Sequence, residues 1–334
     1  MEMIAPDDDR LGWDGIAALV RDGEWWQPWR LPPGRIETAH APDLTQRARM
    51  PAGARIAVRT DATGMTVPVD GDVESSPMDV LVAGERIGRF AIAPGHGVVK
   101  IPLPSGVQDV EFWLPQFGQT RIGKLAFSGH TEVVPARREG PRWITYGSSI
   151  TQCRSADGPS ETWPALVSRR HDWRLTCLGF GGECHLDPVV ARTMRDTPAD
   201  LVSMCLGINV YGRGSFHPRS FSSAVSGFIE TVRDGKPGTA IVVITPIISP
   251  DREQTPNLVG MTLAQVRDDV ATAVETLTRL GDPDLHLVDG RDLLDEGEAG
   301  LLHDGLHPSA EGYRHIADRL APRLKRVLPR VGRY

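Results

Sequence analysis

Apolar residues fall in two different rhythms along this chain. From about Ala54 to Gly129 they form short runs of strand length, at 55–59, 66–69, 78–82, 87–92, 98–103, 110–114 and 122–127. The segments Asp61-Ala62-Thr63-Gly64, Ala83-Gly84-Glu85 and Pro104-Ser105-Gly106 between them suit turns. Many short strands with almost no helical spacing predict an all-β sandwich of jelly-roll type. Trp25-Trp26-Gln27-Pro28-Trp29 precedes this region. Large aromatics dominate burial, so Trp25, Trp26 and Trp29 are expected to cover the sandwich core, with a sugar-stacking platform as the alternative.

Ala136-Arg137-Arg138-Glu139-Gly140-Pro141 is charged and turn-prone, and is expected to link two domains, 1–138 and 139–334. Beyond it, apolar runs at 143–146, 175–178, 201–206, 240–245 and 285–288 alternate with helical patterns. The clearest helix has Val266, Val270, Val274 and Leu277 at four- and three-residue steps, which gives one apolar face. Alternating strands and helices predict a parallel sheet covered on both sides by helices, with any active site at the carboxyl ends of the strands.

At 334 residues the chain exceeds what one core usually supports, in keeping with two domains. A net charge of −6 without a Lys/Arg tract argues against a nucleic-acid partner. No apolar run approaches membrane-spanning length, and the acidic stretch from Met1 to Arg10 lacks the features of a signal peptide, so a cytoplasmic location away from membranes is expected. Cys153, Cys177, Cys184 and Cys205 form no C-x-x-C pair, which disfavours a zinc site, and a cytosolic setting disfavours disulfides. Cys177 and Cys205 lie in apolar runs and read as buried small hydrophobes. The pattern implies no cofactor and leaves the oligomeric state open.

Two motifs carry chemistry. Trp143-Ile144-Thr145-Tyr146-Gly147-Ser148-Ser149 reads as a strand ending in a small-residue turn that exposes Ser149; Asp304-Gly305-Leu306-His307-Pro308 places an acid three residues before a histidine on a loop. A serine nucleophile needs a base, and the base needs a group that fixes its tautomer. Taken singly, each motif is only a turn or a polar loop. His303, Asp304 and His307 could also suggest a metal site, but Gly305 and Pro308 break the helix that would align the two histidines, so no metal is expected. Gly181-Gly182 after the second strand and Gly207-Ile208-Asn209 after the third could bring a backbone N–H and an amide to Ser149, as an oxyanion hole requires. The plain reading of each is a strand-to-helix turn.

In order and spacing, Gly147-Ser148-Ser149-Ile150, Gly182, Gly207-Ile208-Asn209 and Asp304-x-x-His307 resemble the blocks of the SGNH hydrolases, also called GDSL esterases/lipases, over roughly residues 142 to 328. The resemblance implies a flavodoxin-like three-layer α/β/α fold. It makes Ser149 the nucleophile, His307 the general base and Asp304 its orienting acid, with Gly182, Asn209 and the Ser149 N–H as the oxyanion hole. Two positions depart from the family pattern: Ser148 stands where the family has Asp, and Val210 follows Asn209 in place of Asp. No G-x-S-x-G occurs, which argues against an ordinary α/β-hydrolase.

A β-sandwich ahead of such a domain is similar to the arrangement in two-domain bacterial carbohydrate esterases. The expected activity is therefore metal-independent hydrolysis of short acyl esters, acetyl foremost, on a small-molecule alcohol such as a sugar. An acyltransferase or thioesterase acting on a small metabolite is the first alternative, and a noncatalytic carbohydrate-binding protein the second. Loops at strand ends carry binding residues, which makes Tyr211, Phe216, Arg252 and Cys184 candidate walls of the substrate cleft. His185 is a second histidine near the site, without a closely placed acid.

Overall fold

The computed structural model describes residues 2–129 and 132–328; Met1 and residues 329–334, the outer ends of the two expected domains, lie outside the described residues. The N-terminal half is built from β1 (Glu2–Ile4), β2 (Gly12–Asp14), β3 (Ala18–Asp22), β4 (Trp25–Trp29), β5 (Arg55–Thr60), β6 (Gly64–Gly71), β7 (Met78–Val82), β8 (Glu85–Phe90), β9 (Gly95–Pro102), β10 (Gln108–Trp113), β11 (Thr120–Ile122), β12 (Leu125–Ser128) and β13 (Val133–Pro135). One antiparallel sheet runs β1-β12-β6-β11-β4-β3, with β9 on the other edge of β6; the second runs β13-β5-β10-β7-β8, with β2 also paired to β5. Period-two patterning explains why the sheets stack: Met65, Val67 and Val69 of β6 point inward and meet Ile56, Val58, Val80, Val110 and Phe112 of the facing sheet.

The sequence reading needs three corrections here. Strands also lie before Ala54, where the expected strand pattern begins: β1 pairs with β12, and β3 and β4 form a hairpin. Pro28 and the tryptophan run hide that hairpin's strand pattern. The expected strand at 122–127 is two strands, broken where Gly123 turns to donate its N–H to the Pro68 carbonyl at 2.9 Å. The expected linker is anchored: Arg138 is nearly buried and pairs with Asp14 at 3.3 Å and Glu111 at 3.1 Å. As for the tryptophans, Trp26 lies in the sandwich core, Trp29 packs with the core of the second half, and Trp25 stays half-exposed against His96.

The second half carries one parallel sheet of β14 (Arg142–Gly147), β15 (Arg174–Gly179), β16 (Leu201–Cys205), β17 (Ala240–Ile244) and β18 (Leu285–Val288), in the order β15-β14-β16-β17-β18. This is the doubly wound flavodoxin-like order, whose reversal beside β14 leaves a crevice at the strands' carboxyl ends. The helices are α1 (Pro42–Ala48), α2 (Ser149–Gln152), α3 (Trp163–His171), α4 (Pro188–Asp196), α5 (Ile208–Arg213), α6 (Pro218–Arg233), α7 (Leu263–Arg279) and α8 (Ala310–Val327). Helix α3 packs with α8, while α4, α6 and α7 pack together. Right-handed crossovers place these two groups on opposite faces of the sheet. Val266, Val270, Val274 and Leu277 form the buried face of α7, as their spacing predicts. No helix among the described residues is long and apolar enough to cross a membrane.

The two halves share a deep seam. Trp29, Leu31, Ile36, Leu44 and Ala48 belong to the same apolar cluster as the parallel sheet, so the segment from β4 through α1 packs with the second half. Two polar networks close the rest. Arg55, 1 % exposed at its side chain, meets Asp14, Glu111 and the Trp173 carbonyl. Asp79 of β7 is fully buried and receives Arg89 at 2.7 Å together with the N–H and hydroxyl of Ser160.

Candidate active site

Strand β14 delivers Ser149 to the crevice. The chain turns at Ser148, whose buried hydroxyl accepts the Ile150 N–H at 3.2 Å and caps the short helix α2. A serine hydroxyl thus fills the capping role at this position, and Ser149 becomes the first residue of α2. The helix stops after one turn, with Cys153 in the left-handed conformation at φ 61°.

His307 arrives from the other end of the domain, on the loop before α8. Its Nε2 lies 2.8 Å from Ser149 Oγ and its Nδ1 lies 2.7 Å from Asp304 Oδ2. A carboxylate only accepts, so Nδ1 carries the ring proton and Nε2 of the neutral imidazole accepts from the serine hydroxyl. Partial desolvation pushes the Asp304 carboxyl upward. The backbone and ring N–H groups of His307 and the Leu306 N–H outweigh it and hold the carboxyl well below the ordinary carboxylate range. The loop is pinned on both sides: His303 contacts the His307 carbonyl through its own N–H and Nδ1, and Ser249 and Arg252 donate to the Gly305 carbonyl.

Strand β15 ends in a turn that passes directly in front of the serine. A side chain added to Gly181 would begin 3.5 Å from Ser149 Cβ, and Gly182 adopts φ +79° with open space beyond its Cα. The left-handed backbone at Gly182 favours glycine, and a side chain at Gly181 would press on Gln152 Oε1, 3.1 Å from its first atom. Gln152 Oε1 accepts the Gly181 N–H at 2.8 Å, and Arg47 Nε donates to the Gly181 carbonyl at 2.9 Å. Behind the turn, His185 contacts the Gly182 carbonyl through Nε2 and Ser215 Oγ through Nδ1, both at 2.9 Å. A carbonyl only accepts, so Nε2 donates to Gly182, and burial lowers the His185 pKa.

Strand β16 brings Asn209 in the first turn of α5, after Gly207 at φ +114°. Asn209 Oδ1 accepts the Cys184 N–H at 3.1 Å. With that oxygen occupied, the side-chain NH₂ is the group left to donate. The four sequence blocks therefore converge at the ends of three adjacent strands and one loop.

The wall candidates separate. Arg252 borders the His307 loop through Ser249 and Gly305. Phe216 is half-buried beside Phe221, next to the Ser215 that holds His185. Tyr211 is buried, with its hydroxyl on the Thr255 carbonyl at 2.9 Å. Cys184 turns its thiol inward toward the Cys205 carbonyl and meets the site through its backbone N–H. Three contributors carried no signal in the sequence reading: Arg47, Gln152 and the carbonyl-holding role of His185. Only the position of Gln152, three residues after Ser149 on the same turn, could have marked it.

Among the described residues His303, Asp304 and His307 have ligand atoms within 4.8 Å of one another, close enough to hold a metal ion. Asp304, however, already accepts from Leu306 N–H, His307 N–H and His307 Nδ1, so a metal would have to displace the bond that orients the imidazole. As it stands, the arrangement offers an oriented serine–imidazole pair beside the glycine turn that follows β15, which suits acyl-transfer chemistry.

The sequence model of the GDSL-like Lipase/Acylhydrolase family matches residues 145–315, just over half of the chain. No curated protein matches the chain. Among solved structures, a salicylyl-acyltransferase from a tetracycline biosynthetic pathway superposes with a TM-score of 0.90 at 29% identity, covering 99% of this chain and 98% of that one. A GDSL-like lipase from Bacteroides ovatus superposes with a TM-score of 0.77 at 19% identity, with 96% of both chains covered. A family two carbohydrate esterase from Cellvibrio japonicus gives 0.69 at 15%, with 98% of both covered. The last two likenesses establish the shared two-part fold. With four blocks assembled around one crevice and a family match across the domain that holds them, the chain belongs to the GDSL-like lipase/acylhydrolase family, the SGNH hydrolases.

Proposed function

We propose that this protein is a serine esterase that cleaves short acyl esters, acetyl foremost, through an acyl-enzyme. The observation that carries this reading is the 2.8 Å contact between Ser149 Oγ and His307 Nε2, with Asp304 on the far side of the ring. His307 takes the proton of Ser149 as the hydroxyl attacks the ester carbonyl. The tetrahedral oxyanion is held by the N–H of Gly182, the NH₂ of Asn209 and the N–H of Ser149, which heads α2 and has no intrahelical partner. His307 passes its proton to the departing alcohol, and water, activated by the same ring, releases the acid. Fold likeness to a carbohydrate esterase makes an acylated sugar the first alcohol to test.

A second reading keeps the acyl-enzyme and replaces water by another alcohol. It is favoured by the likeness over nearly the whole chain to a salicylyl-acyltransferase. One experiment addresses both readings: hydrolysis of nitrophenyl acetate, butyrate and octanoate by wild type and Ser149→Ala, with and without added alcohol acceptors. Turnover that needs Ser149 and falls with acyl length supports the short-chain esterase. New ester formed at the expense of free acid moves the assignment to acyl transfer. Turnover retained by Ser149→Ala removes the serine mechanism.

A further inference from the structure

A turn made of two glycines has no side chain with which to hold itself in place, and the freedom that lets it pass close to Ser149 also lets it move. An oxyanion donor is useful only when it is fixed before charge develops. Two of the side chains that grip this turn, Gln152 and His185, belong to the parallel-sheet domain, and the third comes from outside it. Arg47 of α1 donates from Nε to the Gly181 carbonyl at 2.9 Å. The opposite side of the same residue, the Gly181 N–H, is held by Gln152. The amide NH₂ of Gln152 in turn bonds the Gln116 carbonyl at 3.2 Å and contacts Met50 Sδ at 3.3 Å.

Behind Arg47 lies Arg30, wholly buried just past β4. Its guanidinium donates to the carbonyls of Cys177 at 3.1 Å and Gly179 at 2.6 Å, at the end of β15, and to those of Arg47 at 2.6 Å and Met50. It stacks over Phe180, with its central carbon 4.6 Å from the ring centroid. Burial pulls the Arg30 pKa down to about 10, yet no carboxylate is paired with it among the described residues. A buried cation held by carbonyl dipoles is a poor way to gain stability, since apolar packing of equal volume does as well or better. What five fixed donors do supply is geometry: Arg30 joins the strand end that launches the glycine turn to the segment that carries Arg47.

We infer that Arg47, backed by Arg30, is a positioning residue for the oxyanion loop, so that the N-terminal half is part of the catalytic apparatus. This rests on the reading of Gly182 as an oxyanion donor. Arg47 acts through the Gly181 peptide, whose carbonyl it holds and whose neighbour is Gly182. Loss of that grip leaves substrate access and the Ser149–His307–Asp304 alignment in place and loosens the stabilisation of the transition state.

The test compares wild type, Arg47→Ala, Arg47→Lys, Arg49→Ala and Ser149→Ala on nitrophenyl acetate. Arg49, two residues on, stacks on Trp29 and serves as the control for charge and surface. In Arg47→Ala, kcat falls by about tenfold to a hundredfold, the size expected when a reacting geometry is displaced by roughly 1 Å. KM, the pH profile and the thermal midpoint stay close to wild type. Arg47→Lys, which keeps a donor for the Gly181 carbonyl, recovers most of the rate, and Arg49→Ala matches wild type. A wild-type kcat in Arg47→Ala beside a dead Ser149→Ala overturns the inference and leaves the serine mechanism standing. Joint loss of kcat, KM and thermal midpoint, without rescue by lysine, also overturns it, because that is what a merely structural arginine would show. If Ser149→Ala itself stays active, the underlying reading has failed instead.

Discussion

Asp304 holds His307 twice: one carboxylate oxygen meets the ring Nδ1 at 2.7 Å, and the other accepts the backbone N–H of the same residue at 2.7 Å. The three-residue spacing is what closes this ring. It fixes both the position of the histidine in the loop and the orientation of its imidazole.

Asp304→Asn separates those two roles. The amide oxygen can still accept the Leu306 and His307 N–H groups, so the loop keeps its shape. The amide NH₂ then faces Nδ1, which must become an acceptor, and the ring proton moves to Nε2, where it cannot receive the serine proton. We expect kcat to fall by about 10⁴-fold with little change in thermal midpoint, as for the equivalent change in a serine protease triad. The comparison of kcat with a melting curve checks it.

The same hydrogen bonds set a pH expectation. Because the folded-state pKa of Asp304 is depressed, its contribution to stability is complete above the ordinary carboxylate range and is lost only as pH falls through its own lower value. Asp304 therefore stays ionised throughout pH 5–8, and a carbon NMR titration should show no carboxyl transition for it in that window. A transition there would mean that the loop bonds are broken in solution.

Asn209 offers a finer test of the oxyanion donors. Asn209→Ala should cost about 2.7–4 kcal/mol of transition-state stabilisation. Asn209→Asp keeps the acceptor for the Cys184 N–H but replaces the donor by a negative charge, so its kcat should fall at least as far. An Asp variant within tenfold of wild type would reassign Asn209 to holding the Cys184 backbone.

Much of this site could be seen in the chain because the chemistry sits in short blocks at the ends of uniformly apolar strands. Fully buried strands such as β16 and β17 read as continuous hydrophobic runs, and the valines of α7 repeat at helical spacing. Other parts had no local signature. The charge of Arg30 and Arg55 reads as surface in a sequence, since the carbonyls and carboxylates that receive them lie as far away as Gly179 and Trp173. The hairpin of β3 and β4 was hidden by a proline whose missing N–H usually argues against a strand.

Asp79 gives a stability prediction away from the site. Replacing it with alanine leaves Arg89 with Glu161 as its remaining acid and leaves the buried Ser160 hydroxyl and N–H without their acceptor. Breaking such a buried network costs about 3–5 kcal/mol, which denaturant unfolding will measure. Turnover at low temperature should be unchanged, because none of these groups touches the Ser149 loop.

The cysteines should be inert in the folded protein. All four are buried, and burial pushes the Cys205 thiol up to about 12, so almost none of it is thiolate at pH 8. Treatment with iodoacetamide at pH 8 should leave activity intact, with labelling appearing only after denaturation. Rapid inactivation would place a reactive thiol in the cleft.

The distance along the chain between the parts of the site has a consequence for biosynthesis. Arg30 reaches the end of β15, and Ser149 meets His307, only when contacts spanning well over a hundred residues have closed, and such long-range closures are late events in folding. During translation the nascent chain carries its serine for more than 150 residues before the histidine exists. A chain made only as far as the parallel sheet therefore has a β-sandwich and an unassisted hydroxyl, and the serine–imidazole pair forms only once the segment that carries His307 has joined it.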